Sequence, residues 1–141
     1  MNALWDAGLA KIEVTSFVSP KAIPQLRDAE TVLRQIRRVP GIVYSALVPN
    51  LRGAERAIDA KADELNLEMS ASHSHNLANL NMTQPQSFAA LCDVAFAAKQ
   101  ARVKVNVSLS CTFGCPMKAT SPRLRCSTGA LASCTSWAPT A

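Results

Sequence analysis

A chain of 141 residues that is 48% hydrophobic and 18% charged has the composition of one globular domain, and is neither collagen-like nor strongly disordered. Its apolar runs are broken by charge every few residues and its start, MNALWDAG, lacks a basic stretch followed by an apolar one, so neither a membrane span nor a secretory signal is expected and the cytoplasm is the default compartment. The net charge of +5 sits wholly in the last third: residues 1–93 hold nine Lys and Arg against ten Asp and Glu, while residues 94–141 hold six and none, too dispersed to form a nucleic-acid-binding face.

In chain order, residues 5–10 (WDAGLA) read as the end of a helix. Residues 11–17 (KIEVTSF) alternate, with Ile12, Val14 and Ser16 on one face and Glu13, Thr15 and Phe17 on the other, and stop at Ser-Pro, which predicts a strand and a turn. Residues 25–38 place Leu26, Ala29, Val32, Leu33 and Ile36 at spacings of three and four and predict an amphipathic helix, with arginines in its last turn where they suit the helix dipole. Residues 42–48 are nearly all apolar, as in a strand covered on both faces. Residues 51–62 predict a helix that turns Leu51, Ala54, Ala57 and Ile58 inward, and residues 64–69 (ELNLEM) alternate again as a third strand. A polar loop is expected over residues 70–82. Thr83 is a fitting N-cap and Pro85 a fitting first-turn residue for a helix running to about Arg102. Residues 103–109 (VKVNVSL) form the fourth strand, with Val103, Val105, Val107 and Leu109 on one side.

Strand and helix in strict alternation predict an α/β fold with a parallel sheet. Beyond Pro116 the pattern ends. Residues 117–141 contain eight Ser and Thr, two Pro and no acid, and show neither a helical nor a strand period, so an irregular tail is expected there.

In such sheets the working residues lie where strands end and loops begin. That rule selects Thr15 and Ser16, Asn50, residues 70–76, and Ser110, Cys111 and Cys115, although loops are polar in any case. Glu13 is an acid inside an apolar strand; it either pairs, faces a polar cavity, or points to solvent from an open edge. His73 and His75 would face one side of an extended segment, but no third ligand is near, so polar loop histidines are the plainer reading. Cys111 and Cys115 are spaced C-x3-C, wider than zinc ribbons and redox pairs favour, and five cysteines (92, 111, 115, 126 and 134) are an odd number, which points to reduced thiols.

The motif Gly8-Leu9-x-x-Ile12-Glu13-Val14-Thr15-Ser16-Phe17-Val18-Ser19-Pro20-Lys21, followed by Pro24-Gln25 and Asp28, resembles the second-strand segment of the hydroxymethylglutaryl-CoA lyases, metal-dependent TIM barrels of the pyruvate-carboxyltransferase-like group. Tyr44-x-x-Leu47-x-Pro49-Asn50-Leu51-x-Gly53 is similar to the third-strand segment. Ser70-x-Ser72 with Asn79-x-Asn81 resembles the loop after strand four, although His73 stands where that family has Glu. Val107-x-x-Ser110-Cys111-x-x-Gly114-Cys115-Pro116 looks like the end of strand five. The resemblance covers residues 1 to about 117.

It implies a partial (β/α) barrel of about four parallel strands over residues 1–117, with residues 118–141 as a separate irregular tail. It also implies a carbon–carbon lyase that cleaves its acyl-CoA substrate to acetyl-CoA and acetoacetate, with a divalent cation, magnesium or manganese, acting as Lewis acid. Glu13 and Ser16 would lie beside metal and substrate, and Asn50 and Ser72 on the pocket wall. The family's Arg-Asp pair, its later His-x-His ligands and its Gly-Gly-Cys-Pro loop cysteine have no counterpart here, so no catalytic residue and no metal ligand is assigned, no cation is expected to bind tightly, and the chain alone is expected to be inactive. The change of composition at Lys118 reads as a shift of reading frame, which would make residues 1–117 an internal piece of a lyase. Two other readings stand beside this one: a non-catalytic α/β fragment whose open sheet edges drive self-association, and a related barrel that condenses or cleaves other acyl-CoA or 2-oxo acid substrates. The segments Ser-Phe-Val-Ser-Pro and Val-Pro-Asn-Leu favour the lyases over the last.

Overall fold

The structure, a computed structural model, describes residue 4 and residues 7–118; the irregular tail expected beyond Lys118 lies outside the described residues, as do Trp5 and Asp6 of the helix end expected over residues 5–10, of which residues 7 and 8 form a turn. Four strands, β1 (Lys11–Ser16), β2 (Val43–Leu47), β3 (Glu64–Ser70) and β4 (Lys104–Ser110), form one sheet in the order β1-β2-β3-β4, with every neighbouring pair parallel. The connections carry α1 (Ala29–Gln35), α2 (Leu51–Asp59), α3 (His73–Leu80) and α4 (Gln84–Gln100). Parallel neighbours cannot be joined by a hairpin, so each strand returns through a helical crossover. Sequential order, all parallel, is the order of consecutive strands in a (β/α) barrel.

The core lies between one face of the sheet and the helices. Phe17, Tyr44, Ala46, Val48, Leu65 and Leu67 from the strands pack with Leu33, Ala54, Ala57, Val94 and Ala98 from the helices, and all of them are buried. Burying a Leu or Val side chain of this kind contributes about 1.5–3 kcal/mol. The alanines of α2 leave room for α4 to approach it closely. Gly53 goes further: a Cβ there would lie 2.8 Å from the carbonyl oxygen of Phe17 and 3.2 Å from Cδ of Pro49, so only glycine lets α2 sit this near the end of β1. The Arg56 guanidinium lies over the Phe17 ring at 5.4 Å and donates to Glu30 at 2.5 Å, tying α2 to α1. That bond holds the Glu30 carboxyl below its ordinary value.

Four sequence expectations are corrected. The helix expected over residues 25–38 is a 3-10 turn at Pro24–Leu26 followed by the shorter α1, because Asp28 resets the chain as the N-cap of α1 and Ile36 is already extended. Leu51 is exposed rather than inward, since it is the first residue of α2 and faces away from the sheet. The loop expected over residues 70–82 contains α3. This helix has little apolar periodicity; it is held by its ends, with Ser72 accepting from the His75 N–H and Asn81 closing it in the left-handed conformation at φ 52°. Asn76, fully buried in its middle, supplies the rest of its anchorage.

The fourth correction concerns β1. Glu13 pairs with Ser45, but the next pair is Thr15 with Ala46, so Val14 is an extra residue without a partner on β2. A bulge of this kind resets the alternation of side chains. Glu13 and Ser16 therefore share the face turned away from the helices, while Phe17 joins the core. Simple alternation had put Glu13 with Phe17 and against Ser16.

Candidate functional site

The sheet face opposite the helices is polar. Reading across it, the register aligns Glu13 with Ser45, Glu64 and Lys104, and Ser16 with Leu47, Asn66 and Asn106. The side chains form a hydrogen-bonded row over all four strands. Asn106 Nδ2 donates to Asn66 Oδ1 at 3.3 Å, and Asn66 Nδ2 donates to Glu13 Oε2 and, at 3.4 Å, to Ser45 Oγ. Glu13 is exposed on this face with one carboxylate oxygen fixed by Asn66. Of the three options the sequence left for it, pairing and an open polar face both hold. Lower on the same face Glu64, buried, accepts from Lys11 Nζ at 2.5 Å. Ser16 is 8% exposed and its hydroxyl has no partner among the described residues. A buried hydroxyl without a partner is costly, and such an orphan at the end of a barrel strand marks a place where a ligand or a further element supplies the missing bond.

At the end of β3 a second cluster forms. Asn76 Oδ1 accepts from the Ser70 N–H at 2.9 Å, and its Nδ2 donates to Met82 O at 2.8 Å and to Ser87 Oγ at 2.7 Å. Gln84 Nε2 donates to the carbonyls of Ser70 and Ala71 at 3.1 and 2.8 Å. These bonds pin the backbone from which Ser72 projects. Ser72 Oγ donates to Cys115 Sγ at 3.0 Å and lies 3.2 Å from Ser74 Oγ. The Ser72 hydroxyl holds the Cys115 thiol below its ordinary value, aided by the Met117 and Lys118 N–H groups and by Ser74 and opposed by burial. Cys115 lies in a short turn closed by a bridge to Lys118, entered from β4 through Cys111 at φ 58°.

Of the four residues selected from the sequence, Glu13 and Ser16 share the polar face through the bulge. Asn50 caps α2, its Oδ1 accepting from the Gly53 N–H at 2.9 Å, and Ser72 caps α3. Asn50, Ser16 and Ser72 stand at the C-terminal ends of three adjacent strands, but no hydrogen bond joins the pair on β1 to Asn50 or to Ser72. The sequence reading reached Asn76 only as the last residue of the selected segment 70–76, and passed over Asn66, Asn106 and Ser87. Asn66 and Asn106 carried a usable signal, an Asn at the polar third position of two alternating strands; Ser87 carried none.

The histidines do not form a pair. His73 and His75 lie on a helix, where residues two apart point in nearly opposite directions, and His73 is exposed. Among the described residues no three His, Cys, Asp or Glu side chains converge. The donors present do not by themselves fit a divalent cation.

Comparison with known proteins agrees with this architecture. The profile of the HMGL-like family matches residues 1–127. A curated hydroxymethylglutaryl-CoA lyase of Bacillus subtilis is 45% identical over 116 residues, which are 82% of this chain and 39% of the relative. Among solved structures, the HMG-CoA lyase of Brucella melitensis superposes with a TM-score of 0.78 at 45% identity, covering 82% of this chain and 41% of that one. An HMG-CoA lyase of Acinetobacter baumannii, solved in complex with coenzyme A and 3-methylmalate, does so with a TM-score of 0.74 at 50% identity, covering 78% of this chain and 36% of that one. The chain thus spans about two fifths of the length of the relatives it matches.

Proposed function

Because this chain belongs to the HMGL-like family, a family of carbon–carbon lyases built on the (β/α) barrel, we propose that it forms part of an enzyme that cleaves hydroxymethylglutaryl-CoA to acetyl-CoA and acetoacetate. The observation that carries this reading is 45–50% identity to HMG-CoA lyases across the stretch that bears the polar face. In the reaction a base takes the substrate's hydroxyl proton, the bond beyond the carbinol carbon breaks, and its electrons pass to the departing acetyl unit.

The residues present would serve binding and orientation. Glu13, steadied by Asn66, offers an oriented carboxylate to a substrate hydroxyl; Ser16 offers a donor that is already desolvated. Asn50 has its Oδ1 committed to the helix cap and its amide N–H groups left for a wall contact. Ser72 acts through the loop it holds at Cys115. Coenzyme A bound to the Acinetobacter relative supports an acyl-CoA as the ligand class. The family's magnesium or manganese ion is not assigned to this stretch, whose donors do not converge, and no step is drawn through it. The thiols of Cys111 and Cys115 suit a reducing compartment, and we propose the cytoplasm for the chain.

By itself the chain is expected to release no acetoacetate from hydroxymethylglutaryl-CoA. The test is a chimera in which residues 7–117 replace the matching segment of the Bacillus relative. Turnover by the chimera, lowered about a hundredfold or more by Glu13→Gln, is the expected result. A folded chimera without turnover, or one indifferent to Glu13→Gln, would refute the reading.

A further inference from the structure

The Glu13 carboxylate is held further along the sheet than its own backbone. The Glu13 Cα is level with Ser45 and Glu64, yet the amide that donates to the carboxylate belongs to Asn66, two residues onward on β3. The side chain thus leans toward the C-terminal ends of the strands, where barrel sites lie. The competing partner lies the other way: Lys11, two residues earlier on β1, whose ammonium is already engaged by Glu64 at 2.5 Å. A glutamate turns about three side-chain bonds, so an exposed one samples many positions unless something fixes it.

Asn66 does the fixing, and it is itself held from two sides. Its amide nitrogen also donates to Ser45 Oγ at 3.4 Å, and Ser45, fully buried, donates to the Ile12 carbonyl at 3.4 Å. Its oxygen accepts from Asn106 Nδ2 at 3.3 Å. Both hydrogens of the Asn66 amide are committed within the sheet, so this residue serves the carboxylate and not a ligand.

We propose that Asn106 is a positioning residue for the lyase reaction: from β4, three strand spacings away, it sets the Glu13 carboxylate on β1 through Asn66. The last torsion of an asparagine is broad and soft, so without the Asn106 bond the Asn66 amide rocks and the carboxylate rocks with it. Neither asparagine is a catalytic residue. The orientation of a reacting group enters kcat, whereas binding that is equal in ground and transition state enters KM. The kinetic consequence rests on the lyase reading; the link from Asn106 to Glu13 does not.

Two measurements test it. In the full chain, the NMR resonance of the Glu13 side-chain carboxyl carbon is followed in Asn106→Ala and in Asn106→Leu, the second similar in shape to asparagine but without its N–H. Both are expected to move the resonance, and Ser108→Ala, the next residue on the same face of β4, to leave it in place. In the chimera with the Bacillus relative, Asn106→Ala is expected to lower kcat about tenfold at unchanged KM, and to cause no further loss once Glu13→Gln is present. A Glu13 resonance indifferent to both Asn106 variants overturns the proposal. So does a loss of kcat that persists in the Glu13→Gln background, since a general loosening of β4 would act with or without the carboxylate. A chimera without turnover refutes the lyase reading and the kinetic role with it, while the resonance still decides whether Asn106 holds Glu13, so the two failures are told apart.

Discussion

The Cys115 thiol shows how much a single hydrogen bond can decide. Its sulfur accepts from Ser72 Oγ at 3.0 Å, and the Met117 and Lys118 N–H groups add to the same effect. Donors aimed at sulfur favour the thiolate, and this outweighs the burial that opposes it. The pH profile of alkylation by iodoacetamide should therefore have its midpoint below the ordinary thiol value of 9.0, and Ser72→Ala should move it upward. An unchanged midpoint in the variant would assign the lowering to the backbone donors instead. The sign for stability follows: a group with a lowered value in the folded state stabilises the fold fully above its unfolded value, and that contribution fades as pH falls through the lowered one. This thiol thus favours folding at alkaline pH and not in acid.

At the scale of elements, close approach decides more than periodicity does. Gly53→Ala would bring a methyl group to 2.8 Å from the Phe17 carbonyl oxygen, a backbone atom that cannot swing aside, so α2 must shift off β1. The expected cost is about 1–3 kcal/mol in urea unfolding; a change within error would mean that α2 slides freely. The strands were legible because alternation and apolar runs are local properties. Three features were not. The Val14 bulge depends on which residue of β2 lies opposite, a non-local fact that moves Ser16 to the same face as Glu13. Helix α3 lacks an apolar stripe and is held by Ser72, Asn81 and the bonds of Asn76, none of which leaves a period in the sequence. The break between the 3-10 turn and α1 interrupts an apolar spacing that looked continuous over residues 25–38. Of the candidate site, Glu13 and Ser16 stood out in the sequence as an acid in a strand and a polar strand end, while their shared face came only from the fold.

At the scale of the molecule, the sheet joins its four strands through side chains as well as through backbone. The polar row across the sheet has a direction as well as a position. A carboxylate can only accept, so Asn66 must turn its NH2 toward Glu13, which leaves its oxygen toward Asn106; Asn106 must then turn its NH2 inward and its oxygen outward. The charge on Glu13 thereby sets whether the far edge, about 14 Å away across three strand spacings, offers an acceptor or a donor to whatever meets it. Glu13→Gln, whose amide can donate as well as accept, removes that constraint, lets both amides turn over, and changes what the opposite edge of the sheet can recognise.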